Sequence, residues 1–186
     1  MIDLALTFLR DELSSYLADL YQIPDKAILA SPTQPGGAMG ADHSNTVSLT
    51  LVNLEPETTI RNMTADRVQN DEHQHLNPAL KLNMKVLFAT NFSDYTESLK
   101  FLAATLTFFQ GRNIFTPQNS PRLKHFDRLV MELEPTTYQE WSFLSGMLGT
   151  KHTPSAVYKV RMISIQNGNV QSRASVILGV GTGVNR

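Results

Sequence analysis

Two histidines, His73 and His75, follow two acidic residues, Asp71 and Glu72, and this group has the residue types that could bind a metal. In an extended chain the side chains at positions i and i+2 point to the same side, so both imidazoles could reach one Zn²⁺ ion if a third ligand approached. The surrounding segment is polar, and ordering it around an ion would cost conformational entropy. We therefore favour a surface role for these residues over a structural or catalytic metal site.

The other residues form no recognisable catalytic arrangement. His43, His125 and His152 have no acid, base or nucleophile at a familiar spacing, and surface or capping roles suit them better. The glycine-rich run at 35–40 lacks the Lys and Ser/Thr of a phosphate-binding loop, which favours a mobile or interface loop containing Met39. No Gly-x-Ser-x-Gly elbow or paired-carboxylate arrangement is present. The sequence predicts a protein that is not an enzyme and uses no cofactor.

Composition limits the class of protein further. The chain has 186 residues, enough for one domain. It contains no cysteine, which excludes disulfides, thiolate metal sites and a cysteine nucleophile. With 16 Lys and Arg against 17 Asp and Glu, the formal charge is −1, and no overall field favours nucleic acid or anionic lipid. The N-terminal apolar pattern is interrupted by charged residues, so we expect neither a signal peptide nor a membrane span.

The elements that must position any functional residue centre on a strand followed by a helix. Apolar residues alternate from Leu80 to Phe88, which predicts a strand with one buried face. Asp94 can then cap a helix, and Gly111 can end it in a left-handed conformation. The helical spacing of Leu99, Leu102, Leu106 and Phe109 assigns these four residues to the core.

The flanking segments predict further strands and helices. An apolar stripe of helical spacing from Ile2 to Leu20 predicts an amphipathic helix on a sheet, with a partner-helix seam as the alternative. A short strand is expected at 26–30. A strand follows at 46–55, where a change of apolar phase indicates either two covered faces or a bulge. Residues 57–63 could return as a hairpin strand, and the polar residues 64–75 are expected to form a mobile loop.

The last third of the chain predicts two more strands around a helix. Leu129, Met131 and Leu133 alternate in a strand that Pro135 ends, and 156–165 form another. Thr136 or Thr137 can cap the helix between them, and Gly149 can end it in a left-handed conformation. The apolar stripe of this helix is expected to comprise Tyr138, Trp141, Leu144 and Leu148. The mixed order of elements predicts an α+β fold: a mostly antiparallel, twisted sheet of four to six strands with packed helices. We place this single domain at 1–168, with a C-terminal extension at 169–186.

The extension is apolar, uncharged at 176–184, and rich in glycine. Such a strand would promote aggregation at a free sheet edge, so it must be covered. It either completes the sheet of its own subunit or pairs with a neighbour by strand addition. The interface residues that we predict, from this extension and two polar loops, are Met39, Asp71, Glu72, Val176, Ile177, Leu178 and Val180.

The amino-acid sequences of several segments resemble those of a known family. These segments are Asn77-Pro-Ala-Leu-Lys-Leu-Asn, Phe92-Ser-Asp-Tyr-Thr-Glu-Ser-Leu, Phe108-Phe-Gln-Gly, Phe115-Thr-Pro-Gln-Asn-Ser-Pro and Tyr158-Lys-Val-Arg-Met. Together they resemble the N-terminal domain of the cap, or tail-terminator, proteins of phage-tail-like contractile injection systems. The resemblance extends to about Ile165 but omits residues 61–77.

The resemblance implies a structural cap. It implies a ring of identical subunits, expected to be a hexamer, on the distal end of an inner tube, where it stops tube growth and engages the last sheath layer. The expected partners are therefore the chain itself, the tube protein and the sheath protein, with neither nucleic acid nor membrane. The cap would assemble in the bacterial cytoplasm and belong to a particle that is released or membrane-anchored.

Two other classes stay open from the sequence. A non-enzymatic adaptor would dock an effector or spike on the particle through one asymmetric contact. A metal-dependent hydrolase would bind stoichiometric metal through His73 and His75.

Overall fold

The structure is a computed structural model that describes residues 1–30, 44–57, 65–69, 72–76, 80–149, 153–165 and 170–175. The chain divides into two compact units. The first comprises Met1–Glu57 and Leu82–Ile163, and the second comprises Thr58–Lys81 and Ser164–Arg186. The helices and strands are, in chain order, α1 (Ile2–Tyr21), β1 (Ala27–Leu29), β2 (Thr46–Pro56), β3 (Ala65–Gln69), β4 (Glu72–Leu76), β5 (Leu80–Asn91), α2 (Tyr95–Gly111), β6 (Ile114–Phe115), β7 (Leu129–Leu133), α3 (Tyr138–Leu148), β8 (Ser155–Ile165) and β9 (Val170–Ser175).

A six-stranded sheet forms the centre of the first unit, with the strand order β1-β2-β5-β8-β7-β6. β1 pairs with β2 in parallel, whereas β2 with β5, β6 with β7 and β7 with β8 are antiparallel. The α+β fold with a mostly antiparallel sheet is therefore confirmed. The phase change in β2 coincides with a register shift between Leu51 and Asn53, which is the bulge that the sequence allowed as one of two explanations.

Helices α1 and α2 cover one face of this sheet. In α1 the buried residues are Ala5, Phe8, Leu9, Leu13 and Leu17, whereas Leu20, at the end of the predicted stripe, is 50% exposed. In α2 the Asp94 side chain accepts a hydrogen bond from the Thr96 amide at 3.0 Å, which confirms the predicted N-cap. Gly111 is the last helical residue and Arg112, with φ −140°, follows, so the left-handed cap expected at Gly111 does not form.

The core assignment in α2 was partly wrong. Phe109 is buried, but Leu99 is 44% exposed, and Leu102 and Leu106 are only half-buried. The buried face instead comprises Ser98, Phe101, Ala104, Thr105, Phe108 and Phe109. Both sets have helical spacing, and the aromatic rings prevail because they fill more of the space above the sheet.

An aromatic cluster joins α2 to the sheet. The Phe109 ring lies 5.1 Å from the ring of Phe88 in β5 and 5.1 Å from that of Tyr158 in β8, measured between centroids. Phe88 and Tyr158 are themselves 5.4 Å apart in an edge-to-face arrangement. Phe115, which is fully buried, extends the cluster toward α1 by an edge contact with Phe8 at 5.4 Å. Such aromatic pairs stabilise the folded state by more than the burial of their apolar surface alone.

Helix α3 covers part of the opposite face. Leu87, Ala89 and Val157 are buried there, and Val52, Trp141, Leu144 and Leu148 pack against them. The expectation of one buried face for β5 is therefore wrong for its second half, because successive strand residues point to opposite faces and both are covered. Thr137 and Glu140 form a capping box at the start of α3, and Gly149, with φ 62°, ends the helix in the left-handed conformation that was predicted.

The second unit contains a three-stranded sheet with the order β3-β4-β9. β3 and β4 pair in antiparallel register from Ala65 with Leu76 to Gln69 with Glu72, so the mobile loop expected at 64–75 is wrong. Backbone pairing needs no apolar alternation, and a polar hairpin therefore escapes a search for hydrophobic periodicity. β9 pairs with β4 of the same chain. The hairpin strand expected at 57–63 lies, after Glu57, outside the described residues.

Candidate protein-interaction surface

The interface residues predicted from sequence fall mostly outside the described part of the chain. Met39, Asp71, Val176, Ile177, Leu178 and Val180 lie outside the described residues. Glu72 begins β4, opposite Gln69 in β3 and Ser175 in β9. An interface role for all seven residues stays a prediction.

The two histidines of the suggested metal group, His73 and His75, lie in β4 and are separated by one residue. His73 lies opposite Val68 and Ala174 in register, and His75 lies opposite Asp66. Among the described residues, no group of three or more His, Cys, Asp or Glu could hold a metal ion. Within the same ranges, no helix has both the length and the apolar character needed to cross a membrane.

The face of the six-stranded sheet that α3 covers in part also carries a row of ion pairs beside this helix. We call it the charged row; it comprises Glu55, Glu57, Lys85, Glu132, Glu134, Lys159 and Arg161. These residues come from β2, β5, β7 and β8 and the segments that directly follow β2 and β7. The register shift in β2 contributes to this arrangement because it brings Glu55 opposite Asn83 and Asn53 opposite Lys85. The row thus links four neighbouring strands across the sheet.

Lys85 is the central cation of the charged row. Its Nζ lies 2.9 Å from a carboxylate oxygen of Glu134 and 3.1 Å from one of Glu55. Hydrogen bonds to Glu134 and then to Glu55 raise the pKa of Lys85 above its usual value. Lys85 therefore stays charged across the physiological pH range.

Arg161 fixes the other end of the row. Its guanidinium donates from Nη2 to Glu57 Oε2 at 3.1 Å, from Nε to the same oxygen at 3.3 Å, and from Nη1 to Glu132 Oε1 at 3.2 Å. The Glu57 side chain is only 4% exposed and also accepts a hydrogen bond from Asn83 Nδ2 at 3.1 Å. A buried carboxylate needs such donors, so this contact is the most constrained of the row.

A cleft of about 420 Å³ lies between α3 and the sheet. Val52 and Val157 of the sheet and Phe143, Leu144 and Met147 of α3 supply its apolar lining. Lys85, Glu134 and Glu140 also line the cleft and supply its charged groups. Glu140 accepts hydrogen bonds from the Thr137 amide at 2.8 Å and hydroxyl at 2.7 Å, and these bonds lower its pKa. The lining of the cleft is therefore mainly apolar, with a negative charge at the start of α3.

Three large side chains of α3 are exposed to solvent. Tyr138 is 90% exposed, Phe143 68% and Met147 70%. Phe143, Met147 and Glu140 lie on one side of α3, and we call these three residues the α3 surface; Tyr138 lies on the other side of the helix. The sequence placed Tyr138 on the inward stripe, which is wrong, and it missed Phe143 and Met147. The signal was present, since Phe143 and Met147 are four residues apart and flank the inward stripe of Trp141, Leu144 and Leu148.

A second exposed surface lies on the side of the sheet that α1 covers. The segment at 121–128, which we call the basic segment, is held by buried Leu123 and Phe126, which are 1% and 8% exposed. Arg122 donates to the Ser15 hydroxyl of α1 at 3.1 Å. The side chains of Lys124 and Arg128 are exposed.

Arg112 supports the basic segment from the end of α2. Its guanidinium donates to Glu12 of α1 at 2.9 Å, to the Ser120 hydroxyl at 2.6 Å and to the Asn119 carbonyl. Glu12 and Ser120 are largely buried, so these bonds fix the chain just before residue 121. The basic segment is therefore a positioned surface of the first unit.

Large exposed apolar side chains bordered by fixed charges are typical of protein-binding surfaces. Residues 5–178 match the Pvc16 N-terminal domain family. The chain belongs to this family. The resemblance to the N-terminal domain of cap proteins is thereby confirmed.

Two solved structures share the fold of this family member over essentially its whole length. The first is a PVC sheath/tube terminator of an extracellular contractile injection system in its extended state, with a TM-score of 0.70, 13% identity, and coverage of 100% of this chain and 64% of that one. The second is the tube-terminating cap of the anti-feeding prophage, with a TM-score of 0.65, 11% identity, and coverage of 99% and 61%. This chain thus spans under two thirds of either structure. No curated protein matches it.

Proposed function

We propose that this protein is a structural cap that ends the inner tube of a contractile injection system. The observation that carries the proposal is the agreement in fold with two tube terminators over 99–100% of this chain. Membership of the Pvc16 N-terminal domain family supports the same conclusion. The surfaces of the first unit suit this role, since they offer protein-binding chemistry.

The cap acts by shape and not by catalysis. Its lower side occupies the docking surface that a further tube ring would use, and its upper side offers no complementary surface to the next ring. Tube growth stops because addition of another layer no longer buries a matching interface. The protein needs no cofactor or metal for this role.

The cap works as a closed ring, for which we propose six subunits. A ring requires a heterologous interface that closes after a fixed rotation. Each subunit then meets the tube end, so contacts that are individually weak add up to a stable complex. The outer surface of the ring engages the last sheath layer. Assembly takes place in the bacterial cytoplasm, and the finished particle is released or membrane-anchored.

We assign further ring, tube or sheath contacts to three segments. These are the loop at 31–43, the hairpin and flanking residues at 64–77, and the tail at 172–184. Deletion of residues 176–186 tests the tail, because β9 ends at Ser175 and its pairing with β4 is retained. A folded subunit that no longer assembles supports an intersubunit role, whereas general unfolding means that the tail completes its own subunit.

Deletion of the gene in a producing bacterium tests the proposed function. We expect particles whose tubes vary widely in length, and restoration of a single length when the gene is supplied in trans. Negative-stain electron microscopy measures the distribution. Uniform tubes in the deletion strain would rule out a terminator. Uniform tubes that lack only an effector or spike would identify an adaptor instead.

A further inference from the structure

Two exposed surfaces of the first unit lie on opposite sides of its six-stranded sheet. α3 packs on Leu87, Ala89 and Val157. The basic segment packs on α1, where Arg122–Phe126 and Leu4, Thr7, Phe8 and Asp11 line a shared pocket. Because α1 covers the other face of the sheet, the α3 surface and the basic segment of one copy cannot touch each other. They can meet only between two different copies.

The two surfaces complement each other in charge. Glu140 is the only charged residue of α3, and its capping bonds with Thr137 keep it ionised. The basic segment carries Arg122, Lys124 and Arg128 against one acid, Asp127. Within the described part of the chain, neither Lys124 nor Arg128 has an ion-pair partner. These cations are therefore available to an acidic partner.

The surfaces also complement each other in apolar character and rigidity. Exposed Phe143 and Met147 need a partner that excludes water. The aliphatic stems of long basic side chains can cover such residues while their charged ends reach an acid. The basic segment is anchored on both sides by buried Leu123 and Phe126. Binding would therefore cost little conformational entropy, because the backbone that presents the cations is already held.

We propose that the α3 surface of one copy binds the basic segment of the next copy. This inference rests on the proposed ring and names its interface. The contact is heterologous, since different surfaces of the two copies meet, and repetition of one such contact around an axis closes a ring. Each subunit contributes its α3 surface to one neighbour and its basic segment to the other.

Cysteine cross-linking tests this contact directly, because the natural chain has no cysteine. The test protein carries Phe143→Cys and Lys124→Cys together, and both positions are exposed, so the substitutions leave the core intact. Purified protein and isolated particles are oxidised and analysed by denaturing electrophoresis. We expect a ladder of covalent oligomers, whereas either single variant yields at most dimers.

A matched control pairs Lys124→Cys with Leu99→Cys, which is exposed on α2. The control should yield no ladder of covalent oligomers. The ladder of the test pair should weaken as the salt concentration rises, because at 0.1 M salt the attraction between exposed charges is largely screened beyond about 10 Å. A test pair that stays monomeric in particles shown by imaging to be capped overturns this interface and leaves the cap intact. A ladder from protein that is absent from the tube end supports the interface and contradicts the proposed function.

Discussion

Replacement of Phe109 by alanine tests how far the aromatic cluster stabilises the first unit. The Phe109 side chain is 1% exposed, and its ring lies 5.1 Å from those of both Phe88 and Tyr158. Removal of a buried phenylalanine ring costs about 3–5 kcal/mol in unfolding free energy, through lost burial and the cavity left behind. For a chain of this size that loss corresponds to a fall of about 6–20 °C in Tm.

The matched control is Phe143→Ala, the same change at a position that is 68% exposed on α3. The control should change the unfolding free energy by less than about 0.5 kcal/mol. Urea denaturation followed by circular dichroism measures both variants, and thermal scans give the change in Tm. Equal losses for Phe109→Ala and Phe143→Ala would show that the cluster does not stabilise the unit as the packing indicates.

Three further substitutions test other parts of the fold. Thr137→Ala removes the capping box of α3 and should cost about 1 kcal/mol by urea denaturation, whereas Thr136→Ala should cost less. Glu57→Gln weakens the hydrogen bonds from Arg161 and should cost roughly 2 kcal/mol in the same assay; an unchanged urea midpoint would contradict it. Burial raises the pKa of the Tyr158 hydroxyl from 10.0 to about 12. The unfolded chain therefore loses the hydroxyl proton at a lower pH than the folded chain, and the unfolding free energy falls as pH rises from 10 to 12. Thermal scans at pH 8 and pH 11 should therefore show a smaller loss for Tyr158→Phe than for the natural chain.

The sequence was most informative where one local rule decides the structure. Asp94 starts α2 through a side-chain cap, and Gly149 ends α3 in a left-handed conformation; the sequence located both residues correctly. The bulge in β2 was one of the two explanations that a change of apolar phase allowed. The core face of α2 was less accurate, because two apolar faces compete on that helix, and only the packed sheet selects Phe101 and Phe108 over Leu99.

The candidate surfaces depended on contacts that the sequence does not reveal. The charged row brings Glu55, Lys85 and Glu134 together from separate segments, and this requires the strand order. The exposure of Phe143 depends on which side of α3 faces the sheet, since both sides are apolar. The hairpin of β3 and β4 is polar, so its pairing leaves no hydrophobic pattern to detect.

Localisation of the protein on assembled particles tests the central claim most directly. Particles that carry a tagged copy of this chain can be imaged by cryo-electron microscopy, with the tag located by a bound antibody fragment. If the protein is a cap, density appears at the distal end of the tube only, in one ring per particle. Density along the shaft, at the opposite end, or at a single asymmetric position would contradict this claim.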